Sequence, residues 1–405
     1  MPPATAPTVT IVGAGITGLA LAALLARTGR EVTVLERATD LGPVGAGLLL
    51  QHLGQEVCHE LGIGQALGAS SAPVRRVDGR TVGGLRTMQL TYDEVAPGSS
   101  AWGVHRGTLF DLLRTAALDA GARIAPGWDV TAVRRTDVGP GREGGWVVTD
   151  AAGRRHESRG LLVGADGAAS TVRRHTVRTR LDRPYPWGAL WSIVPDPDGL
   201  SGDALVQRWR DTRTTLGVLP TGVGQASIFW SARVSRMPAL LAAGPEAFVD
   251  HVAPLAGPLA PLVHRVAAAG LRPARYRDVV VDSPVADGAA LVGDAAHAMS
   301  PQLGAGASLG LADAWTLAQA LDRQPTLAQA LAEYATERRA HLRYSRWWSR
   351  LLTPTFQSGL VPLGPPRDLV LAVALRVGPV RRLATTTLRG AQTSPWRTWH
   401  LPPPA

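Results

Sequence analysis

The 405-residue sequence contains no lysine and no asparagine, and Cys58 is its single cysteine. Its 42 lysine-plus-arginine positions are therefore all arginine. Without lysine, the chain cannot form a lysine Schiff base, bind phosphate through a P-loop lysine, or relay an oxidising equivalent through a lysine amine. With one cysteine it cannot form an internal disulfide. This usage is typical of the reducing cytoplasm, and we expect a cytoplasmic location.

Long apolar runs and a charged leader are also missing. No stretch reaches the roughly 20 apolar residues that span a bilayer, and no cationic segment precedes the first apolar run, so neither a membrane span nor a signal peptide is expected. The net charge is +10, but the arginines are scattered and no recognition module is visible, so nucleic acid is not an expected partner. No metal site is expected. The length and the 45% hydrophobic content predict two or three domains around a large core.

The first glycine-rich stretch joins a predicted strand to a predicted helix. Gly13, Gly15 and Gly18 follow the β-branched run Val9–Val12 and precede the apolar run 19–25. Glycines at this junction allow a tight turn and close approach of a pyrophosphate to the free amides of the helix. A second strand then ends in Glu36, about 20 residues beyond the glycines, where a carboxylate binds ribose hydroxyls. The pattern predicts a dinucleotide-binding βαβ unit.

Between this unit and the second glycine-rich stretch, the sequence predicts an irregular segment, a helix and several strands. An irregular segment is predicted after 45–51, as far as about residue 101. Arg106 opens a predicted helix, where a cation is unfavourable unless a polar ligand lies nearby. Strands are expected around 123–133 and 145–149, and Leu161, Leu162 and Val163 form a short buried strand that leads into Gly164-Ala165-Asp166-Gly167.

Residues 175–284 show the two-residue alternation of strands and predict an inserted, mainly antiparallel sheet. Within it, strands are predicted at 189–194, 214–219 and 225–234, and helices at 245–252 and 259–269. Trp191, Trp209 and Trp230 are the candidate substrate contacts, and Trp187 shares the parity of Trp191. An aromatic wall for a flat hydrophobic substrate and ordinary core packing explain these tryptophans equally well.

The third stretch places a carboxylate at a strand end. A strand over 289–293 is followed by Asp294, at the edge where such sheets open onto a ligand. Pro301, Gly304 and Gly306 then interrupt the chain before a helix. The N-terminus of that helix would direct its amides at an electron-rich group, such as the N1–C2 edge of a reduced flavin.

The three stretches, in this order, resemble those of the group A flavoprotein monooxygenases, the para-hydroxybenzoate hydroxylase-like family. The resemblance covers nearly the whole chain. It implies an α/β fold: a glutathione-reductase-like, Rossmann-type FAD-binding domain with an inserted, mainly antiparallel substrate sheet and C-terminal helices. The family's FAD contacts would fall on Gly13, Gly15, Ile16, Thr17, Gly18, Glu36, Arg37, Gly47, Arg106, Val130, Asp166, Gly167, Arg173, Gly293, Asp294, Pro301, Gly304, Gly306, Ala307 and Ser308.

The resemblance also implies domain boundaries and a reaction. The FAD domain would comprise 1–174 and 285–340, the substrate sheet 175–284, and a C-terminal helical region 341–405. NADPH or NADH would bind transiently and reduce FAD, and O2 would form a flavin hydroperoxide that oxygenates a hydrophobic aromatic or polyketide substrate. Pro301 and Gly304 would line the reacting face, and no catalytic base is assigned. A natural-product pathway, as in antibiotic biosynthesis, fits this chemistry.

This chain departs from the family pattern at several positions. Ser308 stands where asparagine is usual, Ala312 precedes Asp313 in place of glutamate, and Gln51-His52 replaces a Gln-Pro or Ser-Pro pair. Ser308 could still contact flavin through its hydroxyl or its amide.

Two alternatives and one surface remain open. A reductase or dehydrogenase of the same fold, or a non-enzymatic FAD-binding protein, would carry the same motifs, whereas flavin-dependent halogenation needs the missing lysine. The arginine- and leucine-rich region 341–405 is interpreted as helical cover of the substrate cavity or a dimer contact, in a monomer or homodimer. An amphipathic surface for a membrane-borne substrate is the less favoured interpretation, so we expect no membrane association.

Overall fold

The computed structural model describes residues 8–42, 45–136 and 144–404. Its helices are α1 (Ile16–Ala26), α2 (His52–Glu60), α3 (Gly64–Ala69), α4 (Arg106–Asp119), α5 (Thr171–Thr176), α6 (Met237–Ala242), α7 (Gly244–Ala256), α8 (Ala260–His264), α9 (Val266–Ala269), α10 (Asp294–His297), α11 (Gly306–Arg323), α12 (Leu327–Phe356), α13 (Gly364–Ala374) and α14 (Gly378–Leu388).

The strands follow in the same chain order. They are β1 (Val9–Val12), β2 (Val32–Leu35), β3 (Gly47–Leu50), β4 (Ala72–Val74), β5 (Arg76–Thr81), β6 (Arg86–Thr91), β7 (Ala101–His105), β8 (Arg123–Ala125), β9 (Val130–Arg135), β10 (Trp146–Asp150), β11 (Arg155–Ser158), β12 (Leu161–Gly164), β13 (Thr179–Pro195), β14 (Ala204–Trp209), β15 (Thr215–Pro220), β16 (Gln225–Arg233), β17 (Arg272–Val281), β18 (Val285–Ala286), β19 (Ala289–Leu291), β20 (Gln392–Ser394) and β21 (Arg397–Thr398).

A six-stranded sheet in the order β18-β19-β12-β1-β2-β8 forms the first layer. Its strands pair in parallel, apart from the edge strand β18, which runs antiparallel to β19. The apolar helix α1 is buried against this sheet, α4 and α11. Parallel strands buried on both faces, with helical crossovers, confirm the predicted Rossmann-type fold.

The predicted inserted sheet is also confirmed. Seven strands in the order β17-β13-β16-β15-β14-β5-β6 form it, and all pairs are antiparallel except β14 with β5. Apolar side chains of β13, β15 and β16 pack against α7 and α8 on one face. The opposite face carries the alternate residues of the same strands and remains available for a ligand.

The prediction of an irregular segment up to about residue 101 was wrong. That segment forms α2, α3 and β4 to β6, and β5 and β6 extend the inserted sheet. Strand β5 lacks the apolar alternation that predicts a strand, because Val77 is its single buried apolar side chain. Gly79 takes a place where a Cβ would approach the ring of Trp209 to 2.3 Å. Packing against Trp209 thus requires a glycine at this position, and a glycine weakens the strand pattern in the sequence.

The C-terminal part begins inside a long helix. Helix α12 runs through residue 340 without a break, so the predicted boundary there does not coincide with the end of an element. Helices α13 and α14 follow, and the antiparallel pair β20 and β21 comes after them. The boundaries 1–174 with 285–340, 175–284 and 341–405 stay predictions.

Candidate active site

The turn between β1 and α1 has no room for side chains. Gly13 has a φ of +105°, and a Cβ there would lie 2.5 Å from the carbonyl oxygen of Ala165. A Cβ on Gly18 would lie 2.0 Å from the carbonyl oxygen of Gly13. Gly15 instead faces open space and precedes α1 without a side-chain cap, so the first amides of the helix are free. This is the geometry that binds a pyrophosphate.

Residues around this turn hold it in place. The Glu36 carboxylate accepts hydrogen bonds from the amides of Ala14 at 2.7 Å and Ala38 at 2.9 Å, which sets it beside the turn. Thr17 packs its hydroxyl against Gly293, where a Cβ would come within 2.7 Å. The side chain of Thr17 therefore supports the loop after β19, and only its backbone and that of Ile16 remain for a phosphate.

Asp166 and Arg173, both predicted FAD contacts, have partners within the protein, and their direct contact with the cofactor stays a prediction. The Asp166 carboxylate caps α5, because it accepts from the amide of Thr171 at 2.6 Å and from the hydroxyl of Ser170 at 2.5 Å. Arg173 is fully buried and donates to the carbonyl oxygen of Ala295 and to the Asp182 carboxylate. Both side chains are used inside the protein, and Gly167, with a φ of +76°, shapes the turn between them.

Arg106 lies where the sequence predicted, at the first position of α4. His105 caps the helix by accepting from the amide of Gly107 at 3.2 Å, and the side chain of Arg106 is exposed. A Cβ on Gly45 would lie 2.4 Å from Cδ of Arg106. Two further predicted contacts lie nearer the sheet: Arg37 is exposed just after β2, and Val130 is partly buried at the start of β9.

The loop from Gly293 to Ser308 joins the Rossmann layer to the cavity. Gly293 has a φ of +59°, and the exposed Asp294 follows it at the start of α10. Pro301 opens a short 3-10 turn that ends at the left-handed Gly304. Helix α11 starts after Ala305 without a side-chain cap, so the amides of its first turn lack helix partners. Gly306 and Ala307 line the cavity and can face an electron-rich ring edge there.

The Ser308 side chain has a partner within the protein. It is fully buried, and its hydroxyl oxygen accepts from the amide of Gln51 at 3.1 Å, whereas its O–H can still donate. The contact of Ser308 with FAD, through its hydroxyl or its amide, stays a prediction.

Gln51, absent from the predicted contacts, takes a place beside the cofactor loop. Its Oε1 accepts from the hydroxyl of Tyr92 at 2.8 Å, whereas its buried Nε2 has no hydrogen-bond partner among residues 8–42, 45–136 and 144–404. This amide lies near Gly304, where a Cβ would be 3.9 Å from Nε2. An unsatisfied buried donor next to an unhindered glycine fits a flavin ring carbonyl. The only sequence signal was the unusual pair Gln51-His52.

Under the loop lies a buried ionic cluster that the sequence reasoning missed. Asp313 accepts from the amide of Gly293 at 2.8 Å, from Nε2 of His297 at 2.5 Å and from Nε of Arg338 at 2.7 Å. Burial by itself raises the pKa of Asp313, but His297 and Arg338 outweigh it and lower the pKa to about 2. The charged cluster fixes the loop that presents Asp294.

A cavity of about 590 Å³ opens between this loop and the free face of the seven-stranded sheet. Trp191 lines it, as proposed for a substrate wall, and Phe229 pairs with it on the neighbouring strand β16. Pro301 and Gly304 form its flavin side, together with Gly47 and Asp294. The remaining walls come from the last turns of α12 and from α13 and α14.

Trp209 and Trp230 do not line the cavity, so these two predictions were wrong. Trp230 follows Phe229 in the strand and faces the other side of the sheet, where its ring packs against Phe248. Trp209 has the cavity-facing parity of Leu205, but Phe356 covers its ring and Asp368 accepts its indole N–H at 2.9 Å. Both are core residues.

Fold and site together define a flavin-dependent oxidoreductase with one Rossmann-type cofactor domain. The chain belongs to the FAD binding domain family, whose profile matches residues 6–345, and within it to the group A FAD-dependent monooxygenases.

Relatives and solved structures agree with this assignment. The chain is 31% identical over 348 residues to aurachin C monooxygenase/isomerase of Stigmatella aurantiaca, with 82% of this chain and 85% of that protein covered. It is 30% identical over 353 residues to 3-amino-4-hydroxybenzoate 2-monooxygenase of Streptomyces cremeus, with 82% of each covered. HpxO of Klebsiella pneumoniae, solved with FAD and uric acid, shares the fold with a TM-score of 0.78 at 22% identity, over 95% of this chain and 97% of that one.

The protein is therefore an FAD-dependent monooxygenase that uses NAD(P)H and O2. The comparisons favour this activity over the reductase and the non-enzymatic protein that the sequence left open. In the part of the chain that the structure describes, no helix combines the length and apolarity needed to cross a bilayer.

Proposed function

We propose that the enzyme oxygenates an uncharged, flat, hydrophobic aromatic compound bound between the loop 293–308 and the sheet. The observation that carries this proposal is the character of the cavity lining. Trp191, Phe229 and Leu205 supply an apolar surface, and no arginine is present among the described residues that line the cavity. His297, which also lines the cavity, already bonds to Asp313. A substrate carboxylate would therefore lose its hydration there without a free cationic partner, which is strongly unfavourable.

The activities for which the relatives are named support an aromatic target. They include a hydroxylase of ubiquinone in Rhodospirillum rubrum and the aminohydroxybenzoate and aurachin C enzymes named above. A natural-product substrate fits this set.

Tyr276 is the residue that we assign to orienting the substrate. It lines the cavity from β17, and burial raises the pKa of its hydroxyl to about 12, so the group remains a hydrogen-bond donor at neutral pH. A donor placed in a largely apolar pocket can fix one polar atom of the ligand and so set which ring position faces the cofactor.

The cofactor residues act by binding and positioning. The glycine turn and the first amides of α1 would hold the pyrophosphate, Glu36 would bind the adenosine ribose, and Asp294 would bind the ribityl chain. The amides of Gly306 and Ala307, with Nε2 of Gln51, would face the ring. Bound FAD supplies electron transfer from NAD(P)H and activation of O2. Pro301 and Gly304 keep the reacting face free of polar side chains, which excludes water from it.

The cellular location and the oligomeric state of the enzyme are part of the same proposal. A cytoplasmic location and a monomer or homodimer are the expectations from the sequence. No catalytic base is assigned. For an electron-rich ring, the proposal depends on how the ring is positioned beside the cofactor.

Binding of matched ligands tests the proposed substrate class. The flavin absorbance of the holoenzyme is titrated with neutral hydroxyquinolines or hydroxynaphthalenes and with their carboxylated analogues. We expect neutral compounds to perturb the spectrum, to stimulate NAD(P)H-dependent O2 uptake and to gain one oxygen. Preferential binding of the carboxylates would contradict the proposal.

A further inference from the structure

The solvent face of α13 is apolar. Leu369, Val370 and Val373 lie at helical spacing and are 65%, 61% and 55% exposed. Val377 continues the exposed apolar surface toward α14. We call these four residues the outer face. A contiguous apolar patch of this kind marks an interaction site.

The other side of the same helices lines the cavity. Leu371, Ala374 and Leu375 of the α13 segment face it, and Leu383 and Ala384 of α14 do so as well. The cavity wall is therefore one helix thick and apolar on both sides. Core packing explains the inner side but leaves the outer face without a described partner.

The segment that contains this face is rich in positive charge. Residues 341–405 contain nine arginines and one aspartate, whereas residues 1–340 contain 33 arginines and 31 acidic residues. The arginines are therefore not evenly scattered along the chain. Arg376 and Arg382 are exposed, and Arg376 adjoins Val377. Three of the nine are paired with acids: Arg350 with Asp278, Arg367 with Asp368 and Arg381 with Glu94.

In place of the expectation of no membrane association, we propose that the outer face docks on an anionic lipid surface, with its apolar side chains in the headgroup region and the arginines on the lipid phosphates. Apolar residues bordered by arginine are the pattern of interfacial helices. A second copy of the chain is a poorer occupant, because two strongly cationic regions would be brought face to face. The inference does not depend on which compound the cavity binds.

Flotation of the holoenzyme with lipid vesicles tests the proposal. We expect the protein to float with vesicles of phosphatidylglycerol and phosphatidylcholine, to stay at the bottom with phosphatidylcholine alone, and to be released when NaCl rises from about 0.1 M to about 0.5 M. Failure to float with the anionic vesicles would overturn the proposal.

Matched variants assign the binding to the outer face. L369S/V373S and R376Q/R382Q should each reduce the floated fraction by about fivefold or more. The controls L118S/V223S and R233Q/R236Q alter exposed residues elsewhere and should float as the parent does. Retained flotation of L369S/V373S would refute the assignment. Flavin absorbance and circular dichroism verify that each variant is folded.

Sedimentation velocity without lipid tests whether a second copy of the chain, and not a lipid surface, covers the outer face. We expect L369S/V373S not to change the sedimentation coefficient of the parent. A parent dimer that L369S/V373S converts to monomer would show that the outer face joins two copies, and would overturn lipid docking.

Discussion

The glycine turn after β1 and the substrate cavity lie on opposite sides of the loop 293–308 and are specified in opposite ways. At the turn, function depends on side chains that are absent, since a Cβ on Gly18 would collide with the backbone of Gly13. In the cavity, function depends on side chains that are present, such as Trp191 and Tyr276. The first kind of site tolerates almost no substitution, and the second can be altered gradually.

The largest expected effect is loss of FAD from Gly18→Ala. The added Cβ would lie 2.0 Å from a backbone oxygen, so the turn must move and the pyrophosphate site is lost. We expect the FAD content of the purified protein to fall by roughly tenfold or more. Gly359→Ala, where no atom lies within 4 Å of the new Cβ, is the control and should retain the cofactor. Full FAD content in Gly18→Ala would contradict the claim that the glycine turn tolerates almost no substitution.

Next in size is the destabilisation from Arg338→Ala. This change leaves the buried carboxylate of Asp313 without its permanently charged partner, at a cost of about 3–5 kcal/mol in the free energy of unfolding. Urea unfolding of the holoenzyme measures it. Arg339→Ala, at the exposed neighbouring position, should stay close to the parent. Equal stability of the two variants would contradict a structural role for the cluster.

Acid should destabilise the protein well above the pKa of its carboxyls. Burial, with repulsion from Arg389, lowers the pKa of His52 to about 4, and burial with Arg338 lowers that of His341 to about 3. The unfolded chain takes up these protons below about pH 6.5, so stability is complete above that pH and is lost as pH falls toward 4.

Urea midpoints measured across this pH range give the slope. A fully buried histidine contributes up to about 1.4 kcal/mol per pH unit. His341→Gln should flatten the slope, whereas His175→Gln, at an exposed position, should leave it unchanged. A midpoint independent of pH between about 6.5 and 4 would contradict this assignment.

Two tryptophans sharpen the contrast between cavity and core. Trp191→Leu should weaken binding of neutral aromatic ligands while stability changes little, because its ring borders the cavity. Trp230→Leu should lower the free energy of unfolding by about 2 kcal/mol or more and leave ligand affinity intact, because its ring packs on Phe248. Calorimetry measures the stability of both variants, and flavin titration measures their ligand affinity. Lower stability in Trp191→Leu together with weaker ligand binding in Trp230→Leu would refute the placement of these two rings.

The smallest expected effect comes from Tyr276→Phe. Loss of one hydrogen bond to a neutral acceptor corresponds to about 1 kcal/mol, or roughly fivefold in Kd. The ratio of oxygenated positional isomers should also change, since the donor sets the orientation of the ring. Unchanged affinity and an unchanged isomer ratio would remove Tyr276 from the site.

The contrast also explains what the sequence could reveal. Glycines such as Gly13 are tied to their own local backbone conformation, so the cofactor turn was predictable, as were the Rossmann-type fold and the start of α4 at Arg106. Trp209 was not, because residues more than a hundred positions away cover its ring. Strand β5 was hidden by its arginines and by Gly79. Arg338 and Gln51 were missed because their roles arise from distant segments that meet under one loop.

Incorporation of isotopically heavy O2 tests the central claim most directly. The holoenzyme is supplied with NAD(P)H, labelled O2 and a neutral aromatic ligand that perturbs its flavin spectrum, and the product is analysed by mass spectrometry. The account predicts one labelled oxygen atom in the product. A substrate that is oxidised or reduced without label, or one that turns over equally well without O2, would contradict it.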